Sequence, residues 1–159
     1  MELKRVVVTG LGAVTPLGLN VDETWEALLN GVSGAGPITH FDASQFKTQF
    51  ACEVKNFDPT LYLDKKEVRK FDRYAQFAVA AAKEAVGDSA LDLEKVDKNR
   101  VGVIFAAGIG GIRTFEEEVG GYFTNIERGP KFNPFFIPKM IADIAAGHIS
   151  MIYGFHGPN

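Results

Sequence analysis

Two continuous apolar runs stand out along the chain, Arg5-Val6-Val7-Val8-Thr9-Gly10 and residues 101–107. Runs of this kind are the pattern of strands buried on both faces. Elsewhere the apolar positions recur at helical spacing. Val21, Trp25, Leu28 and Leu29 form one face of a first helix, with Asp22 as its expected cap and Gly31 as its stop. Asp64-Lys65-Lys66-Glu67 has the spacing of a capping box. It opens a helical region in which Phe71, Tyr74, Ala75, Ala78 and Ala82 face inwards, ending near Gly87. A further helix carries Ile112, Phe115, Val119 and Tyr122. The last, predicted over 138–153 with Pro138 near its first turn, is apolar almost all round, so it has to be buried from several sides. Between these elements, residues 33–37 read as a Gly-rich loop and residues 129–138 as a Pro/Phe-rich one. Residues 50–54 alternate like a short strand or hairpin arm.

Strands separated by helices predict an α/β fold with right-handed crossovers. Two core strands cannot cover a helix as apolar as 138–153, so the chain reads as part of something larger or as half of an interface. The 159 residues suffice for one domain with a core, and 46% hydrophobic with 23% charged residues is ordinary globular composition. A net charge of −3 gives no global pull towards nucleic acid or anionic lipid. One cysteine excludes an internal disulfide framework and suits a reducing compartment. No apolar stretch is long enough to span a bilayer, and Met1-Glu2-Leu3-Lys4 leads straight into the first run without room for a signal peptide. A cytoplasmic protein that binds neither membrane nor nucleic acid is the expectation.

Candidate chemistry is sparse. Gly10 and Gly12 fill the first two places of a dinucleotide fingerprint, but Thr15 fills the third and Pro16 interrupts the helix that should follow. Cys52 sits in step with Phe50 and Val54 on an alternating segment, without the helix N-terminus or cation that would make it a nucleophile. His148, beside Gly147, reads as a core histidine with satisfied nitrogens, while His40 and His156 lie in loops. No metal-ligand spacing is present. Lys66, Arg69, Lys70 and Arg73 are spaced to share one stripe of one helix, either a solvated face or a dock for an acidic partner, which Lys131 would extend. Gly108-Ile109-Gly110-Gly111 ends the second apolar run, where open α/β sheets hold ligands, and Ile109 suggests an apolar wall there.

In order along the chain, several segments resemble the β-ketoacyl-[acyl-carrier-protein] synthases. They are Val6-Val7-Val8-Thr9-Gly10-Leu11-Gly12, Thr15-Pro16-Leu17-Gly18 with Trp25, Lys66-Glu67 with Arg69-Lys70-Phe71-Asp72, and Gly108-Ile109-Gly110-Gly111. The match continues through Asn133-Pro134-Phe135-Phe136-Ile137-Pro138, Ala146-Gly147-His148, and Tyr153-Gly154-Phe155-His156-Gly157-Pro158-Asn159. The pattern is most similar to the long-chain-elongating synthase II type. The resemblance implies a thiolase-like, layered αβαβα fold of two pseudo-repeated halves that forms a homodimer. It implies a decarboxylative Claisen condensation in which an acyl group on a cysteine is extended by malonyl carrier protein, with no cofactor or metal. The family's cysteine and two histidines fall beyond Asn159, so residues 1–159 are expected to be the N-terminal part of a synthase, stopping a few residues short of the nucleophile and inactive alone. Ile109 and Phe136 match positions that wall the acyl pocket at the dimer interface. Lys66, Arg69, Lys70 and Lys131 match the basic surface that receives acyl carrier protein, although Lys131 stands where relatives often have arginine and Phe132 replaces a second basic residue. His148 matches a structural histidine. A chain-length-factor-like subunit, with the same fold and no nucleophilic cysteine, is the alternative. A nicotinamide- or flavin-binding oxidoreductase is a third reading.

Overall fold

The computed structural model describes residues 4–159; the Met1–Leu3 lead-in lies outside the described residues. Its elements run α1 (Val21–Leu29), β1 (Ala35–Pro37), β2 (Phe50–Cys52), α2 (Lys65–Val68), α3 (Arg73–Asp88), α4 (Ile112–Thr124), α5 (Phe136–Met140) and α6 (Ile144–Tyr153). They divide into two compact units. One takes the chain up to Asp58 together with Lys83–Ala90, and the other takes Pro59–Ala82 with Leu91–Asn159.

In the first unit, α1 is capped by Asn20 rather than Asp22. The Asn20 side chain accepts from Glu23 N–H at 2.8 Å, and the Glu23 carboxylate accepts from Leu19 N–H at 2.7 Å. This reciprocal pair satisfies two amides at the helix start, a role Asp22 cannot fill from inside the first turn. Gly31, at φ +64°, ends the helix. Its N–H donates to Leu28 and that of Val32 donates to Ala27, which is a Schellman stop. The expected loop at 33–37 is instead a strand in part. β1 pairs antiparallel with β2, Gly36 opposite Ala51, as the alternation at 50–54 required.

The first predicted strand departs further. Residues 5–10 carry no strand pairing, and Val6 and Val8 are 88% and 80% exposed. A β-branched run encodes the tendency to be buried, but a strand exists only through its neighbours. Among the described residues, β1–β2 is the only paired sheet.

The second unit is built around Phe71, Ala75, Ala78, Val79, Ala145 and Ile149, which join α3 to α6. Small alanines on both helices allow the close packing that buries them. The second apolar run is likewise not a strand. Its first residues do meet the tail: Gly157 N–H donates to the Val101 carbonyl, and Val103 N–H to that of Pro158. A Cβ on Gly157 would lie 2.6 Å from Val101, so this contact requires glycine. Ile104 beyond it is 95% exposed.

Both long predicted helices are broken, and each break has a chemical cause. The region opening at Asp64 stops after four residues. Asp72 then accepts from Tyr74 N–H and starts α3 afresh, while Gln76 Nε2 reaches back to the carbonyls of Val68 and Phe71. Val68 is the last residue of α2 and Phe71 lies in the turn after it, so Gln76 reaches from α3 back across the break. The predicted 138–153 helix divides at Ile141, which is extended. Gly111 N–H takes the Met140 carbonyl at 3.0 Å, and the Tyr74 hydroxyl takes that of Ile141 at 2.5 Å. In α6, Ala145, Ala146 and Ile149 are buried as the all-round apolar pattern demands, whereas Met151 and Ile152 are exposed.

Candidate functional site

The amides of the glycine turn after the first apolar run are taken by α3: Leu11 donates to Asp88 and Ala13 to one oxygen of Glu84, while Val21, at the start of α1, donates to the other oxygen of Glu84, each at 2.8 Å. Glu84 occupies the electrostatic place a phosphate would need. A Cβ on Gly10 would sit 2.2 Å from the Ala85 carbonyl, so this glycine serves close packing against α3. Cys52 is exposed on β2.

The four cations expected on one helical stripe are distributed over a helix–turn–helix instead. Lys66 lies in α2, Arg69 is its C-cap, Lys70 follows in the turn, and Arg73 opens α3. Asp64 makes no side-chain cap, and the Glu67 carboxylate, which a capping box would turn back on the Asp64 amide, is engaged with Lys70 at 2.6 Å. Lys66 and Arg69 are exposed. Lys70 also lies over the Phe135 ring, 5.9 Å from its centroid, and Arg73 lies over Phe77 at 5.1 Å. Lys131 is exposed and lines a cleft of about 330 Å³ with Glu117, Glu118 and Arg128, a mixed-charge setting rather than a purely basic one.

Phe136 opens α5, Ile109 precedes the Gly110–Gly111 turn into α4, and the two helices pack on each other. The Gly110–Gly111 turn that carries Ile109 passes so close under α5 that a Cβ on Gly111 would be 2.3 Å from the Lys139 carbonyl. Ile109 itself is 69% exposed. Phe136 is half-buried in an aromatic row. Its ring stacks on Phe132 with centroids 5.6 Å apart and 14° between planes, and lies 6.3 Å from Phe115; Tyr122 continues the row at 5.8 Å from Phe132. Separations of this order are favourable offset contacts. Asn133 fixes the approach: its N–H donates to Glu118 on α4, and its side-chain oxygen accepts from Phe135 N–H.

The cationic turn is tied to these elements through Thr114, which the sequence patterns did not single out, and through Tyr74, which they placed on an inward face without naming its partner. Thr114, buried on α4, donates to Asp72 at 2.5 Å, and Tyr74 donates to Ile141. Burial, with Asp72 and Asp143 adding negative potential, pushes the Tyr74 hydroxyl up to about 12, so it remains a donor throughout the neutral range. The only sequence signal was Asp72 itself, a good N-cap residue following Phe71. Its partner 42 residues on is a tertiary fact.

His148 stacks on Phe71, with centroids 3.6 Å apart, as a core residue. The expectation that its nitrogens are satisfied fails at Nε2, which is buried without a partner among the described residues. Burial holds its pKa below the usual value, with Glu67 pulling weakly the other way. Among the described residues no cluster of three His, Cys, Asp or Glu side chains is arranged for a metal. None of the helices described is long and apolar enough to cross a membrane.

The fold is that of the thiolase-like ketosynthases. It superposes with a TM-score of 0.77, at 27% identity, on a chain of a type II PKS acyl-carrier protein in complex with its ketosynthase, covering 97% of this chain and 40% of that one. It superposes with a TM-score of 0.79, at 26% identity, on the ishigamide ketosynthase/chain length factor, covering 96% and 38%. Residues 3–159 match the family described as beta-ketoacyl synthase, N-terminal domain, and the chain belongs to that family. A 3-oxoacyl-[acyl-carrier-protein] synthase 2 of Coxiella burnetii is 48% identical over all 159 residues. The chain spans about 38% of the length of that curated relative.

Proposed function

We propose that these residues form the N-terminal part of a cytoplasmic, homodimeric 3-oxoacyl-[acyl-carrier-protein] synthase. It would extend an acyl chain by decarboxylative condensation with malonyl carrier protein. The observation that carries the reading is 48% identity spread over the whole chain to a relative of that name, of which it spans 38%. In this reaction the malonyl carbon attacks the acyl thioester on a cysteine as carbon dioxide leaves, and the thiolate is released. The cysteine and the two assisting histidines belong to the remainder of the protein. This chain supplies recognition and walls.

Lys66, Arg69, Lys70 and Lys131 present cations to the acidic carrier. Such rim charges steer and orient a partner more than they set raw affinity. Ile109 and Phe136 wall the acyl chain. The exposure of Ile109, Val6 and Ile104 fits surfaces completed by the rest of the synthase and by a second copy. The likeness to a ketosynthase/chain length factor supports a second reading, a non-catalytic subunit that shapes the pocket. Cysteine at the nucleophile position favours the synthase, and glutamine favours the subunit.

The test uses the full-length protein. Lys66→Glu with Arg69→Glu should raise KM for acyl carrier protein by about tenfold, in line with the loss of a steering patch. KM for a small acyl thioester should move far less. Equal loss with both substrates would remove the docking assignment.

A further inference from the structure

Lys70 differs from the other cations of the docking face in what it touches. Lys66 and Arg69 project into solvent. The Lys70 ammonium lies between the Glu67 carboxylate, at 2.6 Å, and the Phe135 ring, at 5.9 Å from the centroid. A cation within about 6 Å of a ring face is attracted to it. Phe135 shares a peptide bond with Phe136, the residue that stacks on Phe132 and faces Phe115.

The segment bearing this pair is fixed at both ends. Upstream, Asn133 N–H donates to Glu118, and Asn133 accepts from Phe135 and Phe136 N–H. Downstream, the Met140 and Ile141 carbonyls are held by Gly111 and Tyr74. Between those anchors, the side-chain contact that reaches Phe135 from the cationic turn is Lys70.

We propose that Lys70 is a positioning residue that couples carrier docking to the acyl-pocket wall. An acidic carrier side chain arriving at the turn competes for the ammonium with Glu67 and with the ring. When it wins, Lys70 leaves the Phe135 face, and the Phe135–Phe136 pair is released to adjust its seat against Phe132. Docking is thereby read at the pocket without movement of the buried Asp72–Thr114 contact. The inference rests on the docking and pocket assignments above.

The full-length enzyme is assayed with acyl carrier protein substrates, recording KM and the distribution of product chain lengths. Lys66→Gln should raise KM a few-fold and leave the distribution as in the parent. Lys70→Gln should raise KM and also change the ratio of adjacent chain lengths by threefold or more, and Lys70→Arg, which keeps a cation over the ring, should restore that ratio. Phe135→Leu, which keeps the docking cations but removes the ring, should change the ratio at unchanged KM. An unaltered distribution in both Lys70→Gln and Phe135→Leu overturns the coupling. If instead neither Lys66→Gln nor Lys70→Gln moves KM, it is the docking assignment that fails, and the coupling falls with it.

Discussion

The phenol of Tyr74 donates to the backbone carbonyl of Ile141 at 2.5 Å, at the junction where α5 gives way to α6. The neighbouring Met140 carbonyl is held from the other side by Gly111 N–H. A carbonyl taken by an outside donor is drawn away from the helical ladder, so a sequence that reads as one apolar helix becomes α5 and α6. Tyr74 lies in the first turn of α3, directly after the segment that carries the cations. One hydroxyl therefore connects the start of α3 with the junction behind Phe136.

Removing that hydroxyl isolates its contribution. Tyr74→Phe keeps the ring and leaves the Ile141 carbonyl without its phenol donor. Because the contact is partly solvent-exposed, water can replace the donor in part. The expected loss is about 0.5–1.5 kcal/mol, the usual net worth of one such bond. It is read as a lower denaturant midpoint at unchanged slope in the full-length protein. A midpoint equal to that of the parent would mean the junction is held by Gly111 alone.

The glycine turn makes a separate prediction. Glu84 accepts from Ala13 and Val21 N–H with its two oxygens, both at 2.8 Å. Glutamine offers one acceptor and one donor, so Glu84→Gln sets an amide donor against a backbone donor. The unsatisfied group costs about 1–3 kcal/mol. Hydrogen exchange at Ala13 or Val21 should accelerate about tenfold for each ~1.4 kcal/mol lost. Protection unchanged at both amides would show that Glu84 is not what orders the turn.

These particulars mark how far the sequence was legible. Local periodicity located α1, α4 and the β2 arm, because each is specified by residues a few places apart. The two apolar runs announced burial, yet pairing depends on neighbours that no local pattern names. The single basic helix failed because Asp72 and Gln76 recap the chain inside it. Asp72 binds Thr114 across 42 residues, a partnership without periodic signature. Of the site, the residue types of the cationic face were readable from spacing. The contact of Lys70 with Phe135, and the aromatic row behind it, required the fold.

His148 gives the fold a pH dependence whose sign follows from its surroundings. Burial against Phe71 lowers its pKa below the ordinary 6.5, and its Nε2 has no partner to hold a proton. The unfolded chain therefore binds the proton more readily than the native one. The stability associated with neutral His148 is fully present above pH 6.5. It is lost as pH falls from there through the lower native value. Replacing His148 with leucine should flatten the fall in Tm between pH 7.5 and 5. Identical slopes in parent and variant would assign the acid sensitivity to other groups.

Phe136 tests the proposed pocket wall most directly. Its ring is half-buried and held by stacking on Phe132, so truncation opens space beside the row without removing a central core residue. One methylene of fit in an apolar pocket discriminates by about 1–3 kcal/mol, or roughly 10–200-fold in kcat/KM. Phe136→Ala in the full-length protein should therefore shift relative kcat/KM towards longer acyl substrates by at least about tenfold per two-carbon step. The substitution also forfeits packing, so stability is measured alongside. A general loss of activity in proportion to lost stability, with the chain-length ratios unchanged, would take Phe136 out of the pocket. A changed ratio at intact stability keeps it there, because altered folding alone lowers all substrates together.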